Sequence, residues 1–438
     1  MYPDFQFLLQ DLLGIDAPGW LSIFKVFGLF VALAFLTAAY VLVLDLKRKE
    51  AMGLMLPEYQ VVRIGDPVKT SELIWSAVIG FLLGFKVGGF FSYWQEIAPN
   101  PMGYIFSMNG NILTGLILAA VMGYAKYAEK KKQQLDEPVE KRVAIYPHMR
   151  ITEFIVVAMV AGLAGAKIFN AFETWEHFIK NPVESLLSSS GLTFYGGLIT
   201  AAIAVSWYAK RHHIPVKHLA DSFAPALMLA YGVGRFGCHF AGDGDWGVFN
   251  SAYVTDISTG LLEPAAAQGA FLSALQMDPS YLAELTHQFG TVQNIPHIYQ
   301  PAGALPQWLV AMNYAHNVNN EGVRLLNDVS NYNHVLPVAV FPTALWEAVT
   351  CIGLFFLLWA LRKRMKHAWH LTGIYLILNG LERFFVEKVR VNTEYDLGFM
   401  QPSQAELISA VFVLLGAGIL LFYRDKEAVA KGLDAKNS

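Results

Sequence analysis

Charged residues are scarce in this chain. Asp, Glu, Lys and Arg make up 15% of its 438 residues, against roughly 25% in soluble domains. With 55% hydrophobic residues and a mean hydropathy of +0.39, that shortage excludes an ordinary soluble domain. Cysteine is almost missing: Cys238 and Cys351 are the only two, which excludes a disulfide framework. Both lie in apolar stretches, as small buried residues do. The first residues carry Asp4, Asp11 and Asp16 without a basic cluster, so no cleavable signal peptide is expected. A P-loop is absent, which argues against an ATP-driven machine. His287, His297, His316 and His334 lack metal-ligand spacing, so no metal site is expected.

What the chain has is apolar length. Runs near the ~20 residues needed to cross a bilayer occur about nine times, at roughly 22–44, 72–93, 110–128, 151–172, 192–209, 219–240, 341–361, 371–387 and 404–423. The expectation is an all-α polytopic membrane protein with about nine transmembrane helices. Of the 32 Lys and Arg residues, 22 fall in 47–71, 129–150, 210–218, 362–370 and 424–438. Because cytoplasmic loops carry the basic excess, the amino terminus is expected outside and the carboxyl terminus in the cytoplasm. The long 241–340 segment holds one basic residue, Arg324. It is expected to form an external domain, since loops of this length are rarely structureless, and it offers no basic patch for nucleic acid.

The expected divisions are a first helix with its cytoplasmic loop at 1–71, a duplicated hairpin at 72–128 and a cytoplasmic loop at 129–150. A core region follows at 151–247, the external domain at 248–338, the last helices at 339–424 and a cytoplasmic tail at 425–438. The word duplicated rests on an internal repeat: 72–128 aligns without gaps on 153–209 at an offset of 81 residues. Matched identities include Glu72/Glu153, Gly84/Gly165, Lys86/Lys167, Trp94/Trp175, Asn100/Asn181, Ser107/Ser188 and Gly115/Gly196. Both copies would have the same orientation. Parallel repeats occur in transporters, but a local duplication that added one hairpin explains the pattern more simply. The series Gly80, Gly84, Gly88 suits close helix packing.

An ionisable residue inside a span costs several kcal/mol unless paired or hydrated, which makes it a candidate for function. Lys86, Lys167, Arg235, Arg383, Lys25 and Glu347 all fall near the expected outer ends of their runs, at headgroup depth. A surplus of cations there suits an anionic lipid headgroup. Interhelical ion pairs, such as Lys86 or Arg383 with Glu347, are the structural alternative.

The most informative stretch runs Gly234-Arg235-Phe236-Gly237-Cys238-His239-Phe240-Ala241-Gly242-Asp243-Gly244-Asp245-Trp246-Gly247. Small residues allow close backbone approach while an arginine, a histidine and two carboxylates converge. Arg235 can hold a phosphate in bidentate fashion. His239, four residues on, shares its helical face and can exchange a proton near neutral pH.

This stretch resembles the signature of the prolipoprotein diacylglyceryl transferase family, a Gly-Arg-x-Gly-(Asn/Cys) core followed by an acidic, glycine-containing segment. Asp221-Ser-Phe-Ala-Pro225, Tyr195-Gly196-Gly197-Leu198-Ile199, Pro342-Thr343-Ala-Leu-Trp346-Glu347 and Gly380-Leu-Glu-Arg383-Phe-Phe-Val-Glu387-Lys-Val-Arg390 are similar to its other elements, in the same order. The resemblance implies a bacterial inner-membrane enzyme. It would move the diacylglyceryl group of phosphatidylglycerol onto the lipobox cysteine of a prolipoprotein, forming a thioether without any cofactor. It further implies catalytic roles for Arg235, Arg383, Asp243, Glu387 and Tyr195, with lipid contacts at Lys86, Lys167, Gly196, Gly197, Gly237, Glu347 and Arg390. Tyr195 stands where many members have a histidine, and a tyrosine with a pKa near ~10 is a poor base. His239 is therefore the expected acceptor of the thiol proton. Lys167 stands where arginine is usual. A non-catalytic lipid- or precursor-binding homologue and a membrane transporter are the competing expectations.

Overall fold

The computed structural model describes all residues except 98–100, 188–190, 192, 267–268, 304, 391–401 and 425–438. Asn100 and Ser188 of the repeat and the expected tail lie outside the described residues. In chain order the helices begin with α1 (Phe5–Leu13), α2 (Val26–Ala51), α3 (Thr70–Ile97), α4 (Pro101–Phe106) and α5 (Ile112–Gln133). They continue with α6 (Ile151–Glu173), α7 (Trp175–Lys180), α8 (Pro182–Leu187), α9 (Phe194–Arg211) and α10 (Val216–Ala241). After α11 (Ala270–Leu275), α12 (Pro279–Phe289) and α13 (Gln307–Val310), the chain closes with α14 (Thr343–Leu361), α15 (His370–Glu387) and α16 (Gln404–Phe422). Each of the nine apolar runs therefore folds as a helix. Among the described residues, α2, α3, α5, α6, α14 and α16 are the six helices long and apolar enough to cross a membrane by length and composition. Helices α10 and α15 carry more polar residues along one face, for a reason that the site makes plain.

The chain divides into two compact units, Leu46–Val216 and Met1–Asp45 with Lys217–Ser438. In the first of these, α3 packs on α5 and α6 on α9 as two hairpins. A two-stranded antiparallel sheet pairs β1 (Glu58–Ile64) with β2 (Val139–Ile145), Glu58 opposite Ile145. The repeat seen in the sequence is a repeat of structure. The α3 helix is interrupted at Tyr93 (φ −119°, ψ 19°), and α6 ends at Thr174 (φ −111°, ψ 42°), 81 positions later. The short helices α4 and α8 stand at the same offset. The glycine series works as packing: a Cβ at Gly80 would meet the Leu118 carbonyl at 2.7 Å, and Gly84 is tighter still against Thr114. At the other end of the unit, buried Arg150 bridges Glu58 (2.7 Å) and Glu153 (2.9 Å).

In the other unit, α10 is fastened by its polar residues. Ser222 donates to Asp45 (2.8 Å), and Asp221 accepts from both the backbone N–H and the hydroxyl of Thr372 on α15 (2.8 Å each). Helices α15 and α16 approach through glycines, a Cβ at Gly380 meeting the Ser409 carbonyl at 2.7 Å.

The segment between α10 and α14 departs from the all-α expectation. It contains a four-stranded sheet in which β3 (Phe249–Thr255) pairs with β4 (Leu262–Pro264), β5 (His297–Ile298) and β8 (Val338–Val340). A second pair joins β6 (Val323–Arg324) to β7 (His334–Val335). Phe249, Phe271, Leu275, Tyr281, Ile295, Tyr314, Leu336, Val338 and Val340 form its core. This sheet domain mixes strands with the short helices α11, α12 and α13.

Candidate active site

Four segments bring the site together within the unit Met1–Asp45 with Lys217–Ser438. The α10 helix persists to Ala241, so Tyr231, Arg235 and His239 follow one another at single-turn spacing along it. The α14 helix supplies Glu347, and α15 supplies Arg383 with Glu387 one turn later. The chain leaving α15 pairs with the end of the signature loop, Val248 N–H donating to the Val389 carbonyl (2.8 Å), with a bridge between Gly247 and Arg390. That pairing sets Arg390 beside Asp245.

Glu347 is the hub. It is 0% exposed, and three arginines from two helices and the strand-like exit of α15 surround it. Arg235 Nε lies 2.9 Å and Arg383 Nη1 3.0 Å from its carboxylate, and Arg390 Nη1 stands at 3.8 Å. Tyr231 links them, donating its hydroxyl hydrogen to Glu347 (3.1 Å) and accepting from Arg235 (3.3 Å). Glu387 holds the other edge of Arg383 at 2.9 Å and accepts from Ser403, the N-cap of α16. Asp245 pairs with both Arg235 and Arg390.

Three guanidinium groups thus meet three carboxylates, and the expected surplus of cations is not found in this cluster. What the cluster has is uncommitted donors. Nε and Nη1 of Arg390 are buried and make no hydrogen bond to any described residue, although a buried donor left unpaired costs about 1–3 kcal/mol. Glu382, also buried, has neither carboxyl oxygen hydrogen-bonded among the described residues.

Several expectations move once the side chains are placed. The carboxylate touching the arginines is Asp245. Asp243 turns instead to Cys238, and burial pushes its carboxyl up against the lowering pull of that hydrogen bond and of Arg235 and Arg390. Glycines at 242 (φ +65°) and 244 (φ +95°) make the turn that separates the two acids. His239 is buried, with Nδ1 3.2 Å from the Tyr314 hydroxyl and its ring edge-on to Tyr314. Among the described residues, its hydrogen bond and ring contacts are to Tyr314 and Phe240 and not to the arginines. Gly237 serves packing, a Cβ there meeting Phe30 of α2 at 2.9 Å.

Lys86, Lys167, Tyr195, Gly196 and Gly197 belong to the unit Leu46–Val216. Lys86 donates to the carbonyls of Tyr104 (2.8 Å), Ser107 (2.6 Å) and Asn109 (3.1 Å). Lys167 donates to Ser185 (3.1 Å), the repeat counterpart of Tyr104. Gly196 and Gly197 sit at the α6–α9 crossing, where a Cβ would meet the carbonyls of Gly165 (2.9 Å) and Gly162 (3.0 Å). Tyr195 is half-buried in the first turn of α9. Tyr231 and Asp245 are the site residues missed from the sequence. Tyr231 was signalled by its place four residues before Arg235, and Asp245 by the Asp-Gly-Asp spacing.

The prolipoprotein diacylglyceryl transferase family model matches residues 111–422, which include every residue of the arginine cluster. The phosphatidylglycerol–prolipoprotein diacylglyceryl transferase of Streptococcus sanguinis is 24% identical over 323 residues, covering 72% of this chain and 90% of that protein. The proteins of the same name from Finegoldia magna (24% identical; 64% of this chain, 81% of that protein) and Chlorobaculum tepidum (22%; 77% and 95%) are similar at comparable reach. With the match spanning most of its length and the whole of the buried charge cluster, this chain belongs to the prolipoprotein diacylglyceryl transferase family.

Proposed function

We propose that the chain transfers the diacylglyceryl group of phosphatidylglycerol to the cysteine thiol of prolipoproteins, as the names of its relatives describe, and that Arg390 with Arg235 and Arg383 receives the lipid phosphate. The observation that carries the second part is Arg390, whose Nε makes no hydrogen bond among the described residues and whose Nη1 has only a long ion-pair contact with Glu347 (3.8 Å), beside two further guanidinium groups. The thiol sulfur forms a bond to the glyceryl carbon as that carbon's bond to the phosphate oxygen breaks. Glycerol phosphate departs with the electron pair. Donors aimed at the oxygen where charge develops stabilise that step, and planar guanidinium groups suit phosphate. Glu347, ion-paired with all three arginines, serves to orient them. Glu387 does the same for Arg383.

A free thiol has a pKa near ~8.5, so transfer at neutral pH needs a proton acceptor. His239 fills that role in this reading. If its Nδ1–H donates to Tyr314, the tautomer leaves the Nε2 lone pair to take the proton. The helices, their apolar exposed surfaces and the basic segments support nine crossings of a bacterial inner membrane, with the amino terminus and the sheet domain in the periplasm. Purified protein incubated with phosphatidylglycerol and a lipobox peptide tests the activity. The expected result is a peptide mass increase of one diacylglyceryl group, lost in Arg390→Ala; no mass shift with the wild-type chain would refute the reading.

A further inference from the structure

Residues 285–320 of the sheet domain contain no Asp, Glu, Lys or Arg, the residue types that most often occupy exposed positions. Within it Ile298, Tyr299, Leu305 and Trp308 are 45%, 68%, 51% and 57% exposed. This surface is built, not loose. Asn250 donates to the carbonyls of Gln300 (2.8 Å) and Val310 (3.0 Å), and Tyr253 accepts from the Ala302 N–H (2.8 Å). Trp346 Nε1 donates to the Leu309 carbonyl (2.9 Å). Trp346 stands on the first turn of α14, a helix long and apolar enough to cross a membrane. The residue next to Trp308 is thereby fixed to the end of a candidate span.

We infer that the edge formed by Ile298, Tyr299, Leu305 and Trp308 inserts into the boundary between headgroups and acyl chains of the leaflet that α14 enters, anchoring the sheet domain to lipid. Trp and Tyr are enriched at that depth because an apolar ring and a polar tip are both satisfied there. With no charge on the segment, insertion desolvates no ion. Continuity with the end of α14 favours a bilayer over a protein partner as what covers this patch. The inference rests on α14 crossing the membrane and not on the transfer chemistry.

Spin labels on Trp308→Cys and, separately, Tyr299→Cys test it in the full chain reconstituted into phosphatidylglycerol-containing vesicles. Val329→Cys, at a residue 95% exposed in the same domain, gives the aqueous reference, and the parent chain treated with the same label gives the background from Cys238 and Cys351. The expected result is an oxygen-to-nickel-chelate accessibility ratio severalfold higher at 299 and 308 than at 329. A ratio equal to that at 329 overturns the inference. Exclusion of both reagents at 299 and 308 also overturns it, in favour of cover by a second copy of the chain. Retained lipid transfer in each variant shows that it is folded, and agreement of two separate positions guards against one misfolded substitution.

Discussion

Lys86 lies near the expected outer end of an apolar run and Arg390 just beyond the end of another, yet the two cations do different things. Lys86 directs its ammonium at three carbonyls of its own hairpin. Its counterpart Lys167 donates to one carbonyl at the matching place one repeat later, that of Ser185. Arg390 pairs with Asp245 through Nη2 and reaches Glu347 only at 3.8 Å through Nη1, and neither Nη1 nor Nε has a hydrogen-bond partner among the described residues. A charge within a membrane helix is a candidate for function, but the comparison shows what separates the cases. A cation fully bonded by its own backbone closes a loop. A cation with donors to spare, held by carboxylates that fix its direction, can take a ligand.

The largest effect that would sharpen the contrast is on turnover. Arg390→Ala and Arg235→Ala should each lower transfer in the mass-shift assay by roughly 10²–10³, the usual cost of losing one donor to a developing oxyanion. Near-wild-type transfer in either would remove the distinction between the two regions. His239→Ala should cost about 10²–10⁴ in rate if it is the proton acceptor. Tyr314→Phe should give a smaller loss, since it removes only the partner of Nδ1. Full activity of His239→Ala alongside an inactive Arg235→Ala would move the base elsewhere.

Glu347→Gln breaks a buried hub and should destabilise the folded protein by about 3–5 kcal/mol, read as a lower midpoint of thermal unfolding in detergent. Lys86→Met should give the smallest effect. It leaves carbonyls of the 104–109 turn unpaired and should cost about 1–3 kcal/mol while transfer by the folded fraction stays close to wild type. A transfer loss as deep as that of Arg390→Ala would make Lys86 part of the site and break the comparison.

Much of this arrangement can be read in the sequence, and the exceptions have physical causes. Hydropathy locates the nine helices that the apolar runs become, six of which are long and apolar enough to cross a membrane, a crossing that demands about 20 apolar residues. The repeat is legible for the same reason that it is structural: the same small residues recur where helices meet and the same breaks recur at Tyr93 and Thr174. Arg235, Arg383, Glu387 and Glu347 stand out as charges at helical spacing. The choice between Asp243 and Asp245 is not legible, because it turns on two glycines with positive φ, and a turn reverses side chains without leaving a period to count. The sheet domain is missed because its strands other than β3 are two or three residues long, too short for alternation to register. Glu382 reads as one more charge beside Arg383, and only the packing shows that nothing described pairs with it.

Native mass spectrometry of phosphatidylglycerol bound to the purified protein tests the central claim most directly, comparing wild type, Arg390→Ala and Lys86→Met under identical detergent exchange. The account predicts retained lipid in wild type and Lys86→Met, and loss of it in Arg390→Ala. Equal retention in wild type and Arg390→Ala would contradict it.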